Sequence, residues 1–406
     1  MIKKWYSRGF ILFFLFLSGC WDSSEINEMA IELAWGIDKA SDKKVMISAQ
    51  AIIPSKLGGG QNNGASGGSN GKPFFVATGN GMNTLDAVQR MQTKLSRQVF
   101  RGHRRVIVIG EAMARQGIKE VFDTYTRDPN LKLRTDIFVV KGDTAKNFLQ
   151  VSYPLENIPG LGASGEFTQM GSPAEMGMLN FLLSATSAGA SPTLPAIAIA
   201  TNSSLQNEED QDDRPKSGRE GFRIDGSAVF NKDLKLEGYL NLKEDQAVRW
   251  VMGNLKELTV TATVPDEKGN VSMNVYKVSS KIQPVLQSDK LRIYITLAGQ
   301  GAIRENNTRL DLTRTENVKL LQSALNKDAE ERVRQTIAKV QQNYGADIFG
   351  FSDVIRRKNL PLWKSVKNNW EEEFREAEIS VTAKIKVRRI GVTGPSLHLN
   401  PHETEK

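Results

Sequence analysis

The sequence predicts a multi-domain chain of the α+β or mixed α/β class, in which each domain is a β-sheet packed with helices. Its 406 residues are enough for two or three domains. In the first half, short apolar runs typical of buried strands alternate with amphipathic helical stretches. The second half groups several longer strands with a few long helices, which is typical of α+β domains.

Strands and helices alternate in the first half. Residues 29–53 predict two strands around the polar turn Asp42-Lys43-Lys44. A strand over 73–78 precedes a helix over 83–96, whose predicted apolar face carries Leu85, Val88, Met91 and Leu95. The elements that follow are a strand, a helix, a strand and two helices, predicted over 104–110, 111–126, 134–141, 143–151 and 174–187. Together they predict an N-terminal α/β domain over 20–200, which includes a flexible glycine-rich loop at 57–72.

The second half begins after a polar stretch that predicts a linker over 201–220. Strands are predicted over 222–230, 236–242, 258–264, 271–285, 291–298 and 379–390. Apolar residues at three- and four-residue spacing predict a long helix over 315–344, and a second helix over 361–377 begins with a proline in its first turn. These elements predict a C-terminal α+β domain over 221–400.

The first twenty residues have the layout of a cleaved secretory signal. Lys3, Lys4 and Arg8 precede an apolar run over 10–17, which is shorter than the roughly 20 residues needed to span a bilayer. The run ends in Leu17-Ser18-Gly19-Cys20, which resembles a bacterial lipobox. We therefore predict that residues 1–19 are removed by cleavage between Gly19 and Cys20, and that Cys20 carries an S-diacylglycerol group and an N-acyl chain.

Cys20 is the only cysteine in the chain, so no internal disulfide can form. Two acyl chains matter because a single chain gives only marginal membrane binding. The alternatives are an ordinary signal peptide and a short membrane anchor with an incidental cysteine.

The charge of the chain argues against nucleic acid as a partner. Loss of residues 1–19 removes three positive charges and lowers the formal net charge from +8 to +5. This surplus is small and dispersed, whereas nucleic-acid-binding domains concentrate basic residues on one face. A mild positive charge would instead help the chain lie close to anionic lipid.

The sequence offers no clear catalytic, cofactor-binding or metal-binding residues, and we predict that the chain is not an enzyme. It has three histidines, His103, His398 and His402, and none has the spacing of a metal site. Gly71-Lys72 is followed by Pro73, which does not fit a phosphate-binding loop. A pair of carboxylates that meet only in the folded chain stays open, because sequence spacing cannot reveal it.

A basic cluster at Arg97, Arg101, Arg104 and Arg105 allows two interpretations. One is a solvated edge beside a strand. The other is a surface that faces lipid head groups or an acidic partner.

A series of different short motifs is distributed along the chain. They are Gly19-Cys20-Trp21-Asp22, Glu25-Ile26-Asn27, Gly36-Ile37-Asp38, the segment 102–110, Arg127-Asp128-Pro129, the segment 226–230, Gly238-Tyr239-Leu240, the segment 347–351, Trp363, Trp370 and the segment 390–394. Each motif is weak alone, but the whole series resembles the Ger(x)C family, the C subunits of nutrient germinant receptors in spore-forming bacteria. The resemblance covers nearly the whole mature chain.

The resemblance implies a role in sensing small nutrients during spore germination. Such subunits are anchored by lipid at the outer face of the spore inner membrane, and they assemble with two polytopic subunits, one A-type and one B-type. Only Cys20 carries over with a chemical role, while Trp21 and Asp22 carry over as motif residues of unknown role. Trp363 and Trp370 are expected in the core. The family architecture also allows a division of the second half near residue 280.

Two other functions stay open. A solute-binding lipoprotein of a transporter would have two similar lobes with a ligand cleft between them. A cell-wall hydrolase active in germination would need a carboxylate pair or a metal centre.

Overall fold

The computed structural model describes residues 28–41, 44–56, 72–128, 132–153, 155–171, 177–200, 221–264, 269–288 and 290–392. The strands are β1 (Met29–Lys39), β2 (Val45–Ile52), β3 (Phe74–Gly81), β4 (Gln98–Phe100), β5 (Val106–Gly110), β6 (Asp136–Lys141), β7 (Thr193–Ala200), β8 (Gly221–Phe230), β9 (Leu236–Leu240), β10 (Glu257–Thr263), β11 (Asn270–Gln287), β12 (Lys290–Asn306) and β13 (Glu378–Arg389). The α-helices are α1 (Thr84–Gln92), α2 (Glu111–Gln116), α3 (Lys119–Thr126), α4 (Ala145–Leu149), α5 (Pro159–Gln169), α6 (Gly177–Thr186), α7 (Leu242–Met252), α8 (Thr315–Asn343), α9 (Phe351–Lys358), α10 (Leu360–Val366) and α11 (Trp370–Glu376).

The first sheet has nine strands in the order β3-β2-β1-β5-β6-β7-β8-β9, with β4 paired beside β1. Its centre, β1-β5-β6-β7, is parallel, and the strands on either side are antiparallel. Both faces of the centre are buried: Ile107 and Ile109 of β5 lie in one apolar cluster, and Val106 and Val108 lie in another. Burial on both faces explains why these strands are continuous apolar runs in the sequence.

Strand pairing in this sheet crosses residues 201–220. β7, which the sequence did not reveal, pairs antiparallel with β8 on the far side of that segment. The two sheets therefore separate between Leu240 and Glu257, and the predicted C-terminal domain begins with two strands of the first sheet. Composition does not report which strands pair, so the polar composition of 201–220 did not locate the boundary between the two sheets. The domain division itself stays a prediction, and β11 runs without a break through residue 280.

The second sheet has four strands in the order β10-β11-β12-β13, and the 29-residue helix α8 packs along it. Side chains of that helix accept hydrogen bonds from the outer edge of β13, the edge strand. The backbone N–H groups of Ala383, Ile385 and Val387 donate to Glu330 Oε1 (2.8 Å), Asn326 Oδ1 (2.8 Å) and Gln322 Oε1 (3.1 Å), respectively. Four residues of helix rise about 6 Å and two residues of strand about 6.6 Å, so the two repeats match. This ladder blocks an edge that would otherwise be open to pairing with another chain.

We expect Asn326→Ala to lower the free energy of unfolding by about 1–2 kcal/mol, because the buried N–H of Ile385 loses its acceptor and alanine's better helix propensity recovers only part of that loss. Chemical denaturation measures the change. The matched control is Ser323→Ala, an exposed position on the same helix. Equal stability of the two variants would show that the ladder contributes nothing.

Helix α1 confirms the predicted element, and its predicted apolar face is right at Met91 but wrong at Leu85. Leu85 is 65 % exposed, whereas Ala87 and Met91 are buried. The cause is the close approach of α1 to β3: a Cβ atom at Gly79 would lie 2.1 Å from the carbonyl oxygen of Ala87. Small residues at this contact therefore decide which side of the helix faces the sheet.

Other helices differ from the predicted ones at glycines, prolines and caps. The predicted helix over 111–126 is two helices, because Gly117 between them adopts φ +118°. The predicted helix over 361–377 is split into α10 and α11 by a short 3₁₀ turn, Lys367–Asn369. Trp363 and Trp370 are both buried, as expected, and their rings meet edge to face with centroids 5.6 Å apart.

Three helices, α5, α7 and α9, were not predicted. α5 was hidden because its sequence is rich in glycine, and Gly160 is needed there since an added Cβ would lie 2.7 Å from Ala34 Cβ. α7 did carry a signal: Asn241 and Glu244 form a capping box, and Gly253 ends the helix in the left-handed region.

Candidate functional site: the joint between the two sheets

The residues predicted to carry chemistry at the start of the chain lie outside the described residues. These are Cys20, the cleavage position after Gly19, and the motif residues Trp21 and Asp22, and all of them stay predictions. His398 and His402 also lie outside. Within the part that the structure describes, no group of three or more His, Cys, Asp or Glu residues is placed to hold a metal ion. No helix in that part is long and apolar enough to cross a bilayer.

The two sheets meet at a joint that we define by the loop 187–192 and the turn 345–350. Ala190 and Asp347 form an isolated parallel bridge, in which the N–H of Ser191 donates to the carbonyl oxygen of Asp347 at 2.8 Å. Beside it, the hydroxyl of Ser187 donates to Asp353 Oδ1 at 3.0 Å. Backbone and side chain thus connect residues from the two halves of the chain.

Asp347 also caps the helix that follows it. Its buried carboxylate accepts hydrogen bonds from the N–H groups of Phe351 (3.0 Å) and Ser352 (2.8 Å), at the start of α9. Gly350, the residue just before this helix, has φ +71°, a conformation that glycine adopts without strain. The segment 347–351 of the family motif is therefore a helix-capping turn that holds the joint.

Burial raises the pKa of the Asp347 carboxyl from an ordinary 3.8 to about 6, against the opposing effect of its two backbone hydrogen bonds. A carboxyl whose pKa rises on folding destabilises the fold when ionised, so the penalty is complete above about pH 6 and fades as the pH falls towards 3.8. We expect the stability of the wild type, relative to Asp347→Asn, to increase by about 1 kcal/mol between pH 7 and pH 5. Denaturant titrations of both proteins across this range test the sign; a difference that does not change with pH would contradict it.

Two glycines, one in the loop 187–192 and one in β9, allow close contact with residues that pack with the second sheet. A Cβ atom at buried Gly189 would lie 2.4 Å from Ser352 Cβ and 2.8 Å from a ring carbon of Trp370. At Gly238 it would lie 2.7 Å from the ring of Tyr344. The Tyr344 hydroxyl donates to the carbonyl oxygen of Tyr239 at 3.1 Å, which fixes that ring against β9.

Lys232 binds the backbone of the loop 187–192 and fixes its conformation. Its ammonium donates to the carbonyl oxygens of Ser187 (2.5 Å) and Ala190 (2.7 Å), and burial lowers its pKa. Asp353 and Asp347 oppose this decrease, because their negative charges favour the ammonium form. The loop 187–192 is therefore bound on one side by Lys232 and on the other by residues of the second half.

Helix α7 connects the two sheets and carries a buried ion pair. Asp245 and Arg249, one turn apart, approach to 2.7 Å, and both are more than nine-tenths buried. Arg249 also lies over the ring of Phe167, with its guanidinium carbon 5.5 Å from the centroid. At the start of α7, Glu244 binds the ammonium of Lys339 on α8 at 2.8 Å.

The motif Gly36-Ile37-Asp38 has a similar structural task within the first sheet. The buried carboxylate of Asp38 accepts from the N–H groups of Ala145 (2.7 Å) and Lys146 (2.9 Å), at the start of α4. Burial raises the pKa of Asp38, and these two hydrogen bonds oppose that increase. Gly110 passes so close that a Cβ atom there would lie 2.0 Å from the Asp38 carboxylate.

The structure separates the basic cluster of the sequence into different roles. Arg104 is buried: its guanidinium binds Glu32 and the Tyr125 hydroxyl, and lies 3.8 Å from the ring centroid of Trp35. The hypothesis that Arg104 faces lipid or a partner is therefore wrong, because β1 and α3 enclose it. Arg101 pairs with Asp128 at 3.0 Å, while Arg97 and Arg105 are exposed.

The contacts of the joint residues hold elements of the fold in place. Among the described residues, two unlike sheets are connected through α7 and the joint, as in a structural scaffold. This defines the class: a two-unit α+β chain, with one large mixed sheet and one small sheet carrying a long helix. Family models match the two parts of the chain on either side of residues 201–220. A spore germination protein N-terminal domain matches residues 22–199, and a spore germination B3/GerAC-like C-terminal domain matches residues 225–391. The chain belongs to the Ger(x)C family of spore germination proteins.

Relatives match over almost their full lengths. The chain is 27 % identical over 383 residues to the putative spore germination protein YfkR of Bacillus subtilis, covering 94 % of this chain and 95 % of that one. It is 27 % identical over 392 residues to spore germination protein KC of the same organism, covering 94 % of each chain. The crystal structure of the GerBC protein superposes with a TM-score of 0.54 at 21 % identity, covering 90 % of this chain and all of that one. That likeness confirms the predicted multi-domain α+β fold class.

Proposed function

We propose that the protein is a lipid-anchored subunit of a spore nutrient-germinant receptor, held by Cys20 at the outer face of the spore inner membrane. It would be required for the germination response to small nutrients and would act by assembly with two polytopic subunits, one A-type and one B-type. The observation that carries this proposal is the match of both family domains along the chain, together with the lipobox that precedes them.

Assembly, as opposed to catalysis, is supported by the use of the buried polar residues. Asp347, Asp38 and the pair Asp245–Arg249 each bind neighbouring elements of the fold, so their chemistry is used within the protein. A cell-wall hydrolase remains testable: purified protein incubated with peptidoglycan would release soluble fragments if the chain were such an enzyme.

The solute-binding alternative is disfavoured by the unlike architecture of the two units. Binding proteins of transporters use two similar lobes of βαβ units around a cleft. Here the first sheet has nine strands with a parallel centre, whereas the second has four strands and one long helix. Calorimetry with amino acids and sugars on the isolated chain separates the two functions, because a free binding protein binds its solute tightly alone.

Composition of the solubilised complex is the test of this proposal. Spore inner membranes are solubilised in a mild detergent, and the chain is captured through a tag placed after Lys406. We expect two multi-spanning proteins to elute with it in fixed ratio, and a chain-deletion strain to lose the response to one class of nutrient. Recovery of the free lipoprotein alone, in a detergent that keeps another germinant receptor intact, would count against the proposal.

A further inference from the structure

The end of the first sheet at which β1, β5 and β6 begin carries an apolar depression with basic residues around it. We call it the strand-end surface. A cavity of about 870 Å³ opens there, and its apolar lining residues are Ile31, Leu33, Ile52, Leu133 and Leu161. Leu133 is 44 % exposed, on the segment that leads into β6. A second groove of about 440 Å³ adjoins it and shares Ile52.

The polar residues at the rim of this cavity are basic. His103, Arg105, Lys132 and Arg134 are exposed, and Arg97 lines the adjoining groove. No Asp or Glu is among the described residues that line either cavity. Glu28 is an exposed carboxylate at the start of β1, and the partly exposed carboxylate of Asp128 is paired with Arg101. An apolar depression ringed by cations is complementary to a surface that carries negative charge above hydrocarbon.

The opposite end of the same sheet is different. The cavity there, of about 460 Å³, includes the carboxylates of Glu120 and Asp233 as well as Lys119 and Lys235. Mixed charges of this kind give no net attraction to an anionic surface. The contrast makes the basic, apolar character of the strand-end surface a local property.

The position of the strand-end surface matches the predicted tether. Cys20 lies nine residues before Met29, where β1 begins. A fully extended chain of nine residues spans at most ~30 Å, so a lipid on Cys20 would keep the start of β1 within that distance of the bilayer. Of the two ends of the sheet, the one that begins β1 is the end a short tether brings to the lipid.

We propose that the strand-end surface rests on anionic phospholipid, with Leu133 at the level of the head groups and Lys132, Arg134 and Arg105 beside the phosphates. This inference rests on the proposed anchor at Cys20 and adds to it a fixed orientation of the first sheet. The acyl chains on Cys20 already supply stable attachment, so the surface contributes orientation and not the attachment itself.

The single cysteine of the chain makes a direct test practical. Because Cys20 would be acylated, Leu133→Cys introduces one free thiol at the surface, and Met82→Cys introduces one at the opposite end, where Met82 is 76 % exposed. Each acylated protein is labelled with a polarity-sensitive fluorophore and reconstituted on vesicles containing phosphatidylglycerol and a spin-labelled lipid quencher. We expect at least a several-fold greater quenching at position 133 than at position 82.

Charge variants and vesicle composition decide the outcome. Lys132→Glu with Arg134→Glu, in the Leu133→Cys background, is expected to abolish most of the quenching difference while the protein still floats with the vesicles. Phosphatidylcholine vesicles are expected to give the same loss. Equal quenching at both positions, with flotation intact, would overturn the orientation and leave the anchor standing.

Two further results separate this inference from the proposed function. If mass spectrometry finds Cys20 without lipid, the proposed anchor is wrong. Co-sedimentation of the unacylated chain with phosphatidylglycerol vesicles then tests the strand-end surface alone. Binding to the vesicles supports the lipid proposal, and no binding overturns it. If the probe at position 133 shifts only in spore membranes that contain the polytopic subunits, and not on vesicles, the surface binds protein and the lipid proposal is overturned.

Discussion

Glu32→Ala is expected to lower the free energy of unfolding by about 3–5 kcal/mol, the usual cost of leaving one member of a buried ion pair without its partner. Glu32 is 1 % exposed and binds the guanidinium of Arg104, which is enclosed by Trp35 and Tyr125. Without the carboxylate, the Arg104 guanidinium stays charged at a position that is only 6 % exposed. Denaturant unfolding followed by tryptophan fluorescence gives the value.

Two further variants show whether the loss comes from the charge. Glu28→Ala removes an exposed carboxylate at the start of the same strand and is expected to change stability by less than about 0.5 kcal/mol. Glu32→Leu combined with Arg104→Met replaces both charges by apolar groups and is expected to recover most of the loss. If the double variant is as unstable as Glu32→Ala, packing and not the unpaired charge is the cause.

Gly189→Val is expected to open the joint. The added atoms overlap Ser352 and Trp370, both of which are held by the second half, so the loop 187–192 must move away. Overpacking of this kind costs about 1–3 kcal/mol or more. Because the lost contacts join two sheets, we expect the unfolding transition to broaden or divide in two, with new protease cleavage in the loop.

Gly165→Val provides the matched control, since nothing lies within 4 Å of an added Cβ at that exposed position of the first half. Gly238→Val tests the second contact of the joint, where the Tyr344 ring must give way. If Gly189→Val unfolds in one sharp transition at the wild-type midpoint, the joint does not couple the two units. The same variant in spores is expected to impair germination while keeping the protein on the membrane.

Much of the strand content could be predicted from the sequence, because strands leave local signals. β5 and β6 are buried on both faces and are continuous apolar runs, and β13 alternates Val381, Ala383 and Ile385 on its buried face. The long helix α8 was predicted for the same reason. These elements carry their burial in their own periodicity.

The joint could not be predicted, because it depends on residues far apart in the chain. Gly189 carries no signal alone, and its importance appears only because Ser352 and Trp370 lie beside it. Asp347 lies in a family motif, but its bridge to Ala190 is visible only in the folded chain. Arg104 shows the same limit. A cluster of arginines indicates a charged surface, but Glu32, 72 residues away in the chain, binds the Arg104 side chain in the interior. Which strand pairs across 201–220 is likewise a property of the assembled sheet.

Anchoring of a receptor subunit through Cys20 is tested most directly by Cys20→Ala in the spore-former. Ser23→Ala is the control, and protein levels are matched by immunoblot. Spores are fractionated and scored on a panel of nutrients. We predict that Cys20→Ala leaves the membrane fraction and abolishes the response to one nutrient class, while triggers that bypass this receptor still work. Protein that stays on the membrane, together with unchanged germination on every nutrient, would contradict the account.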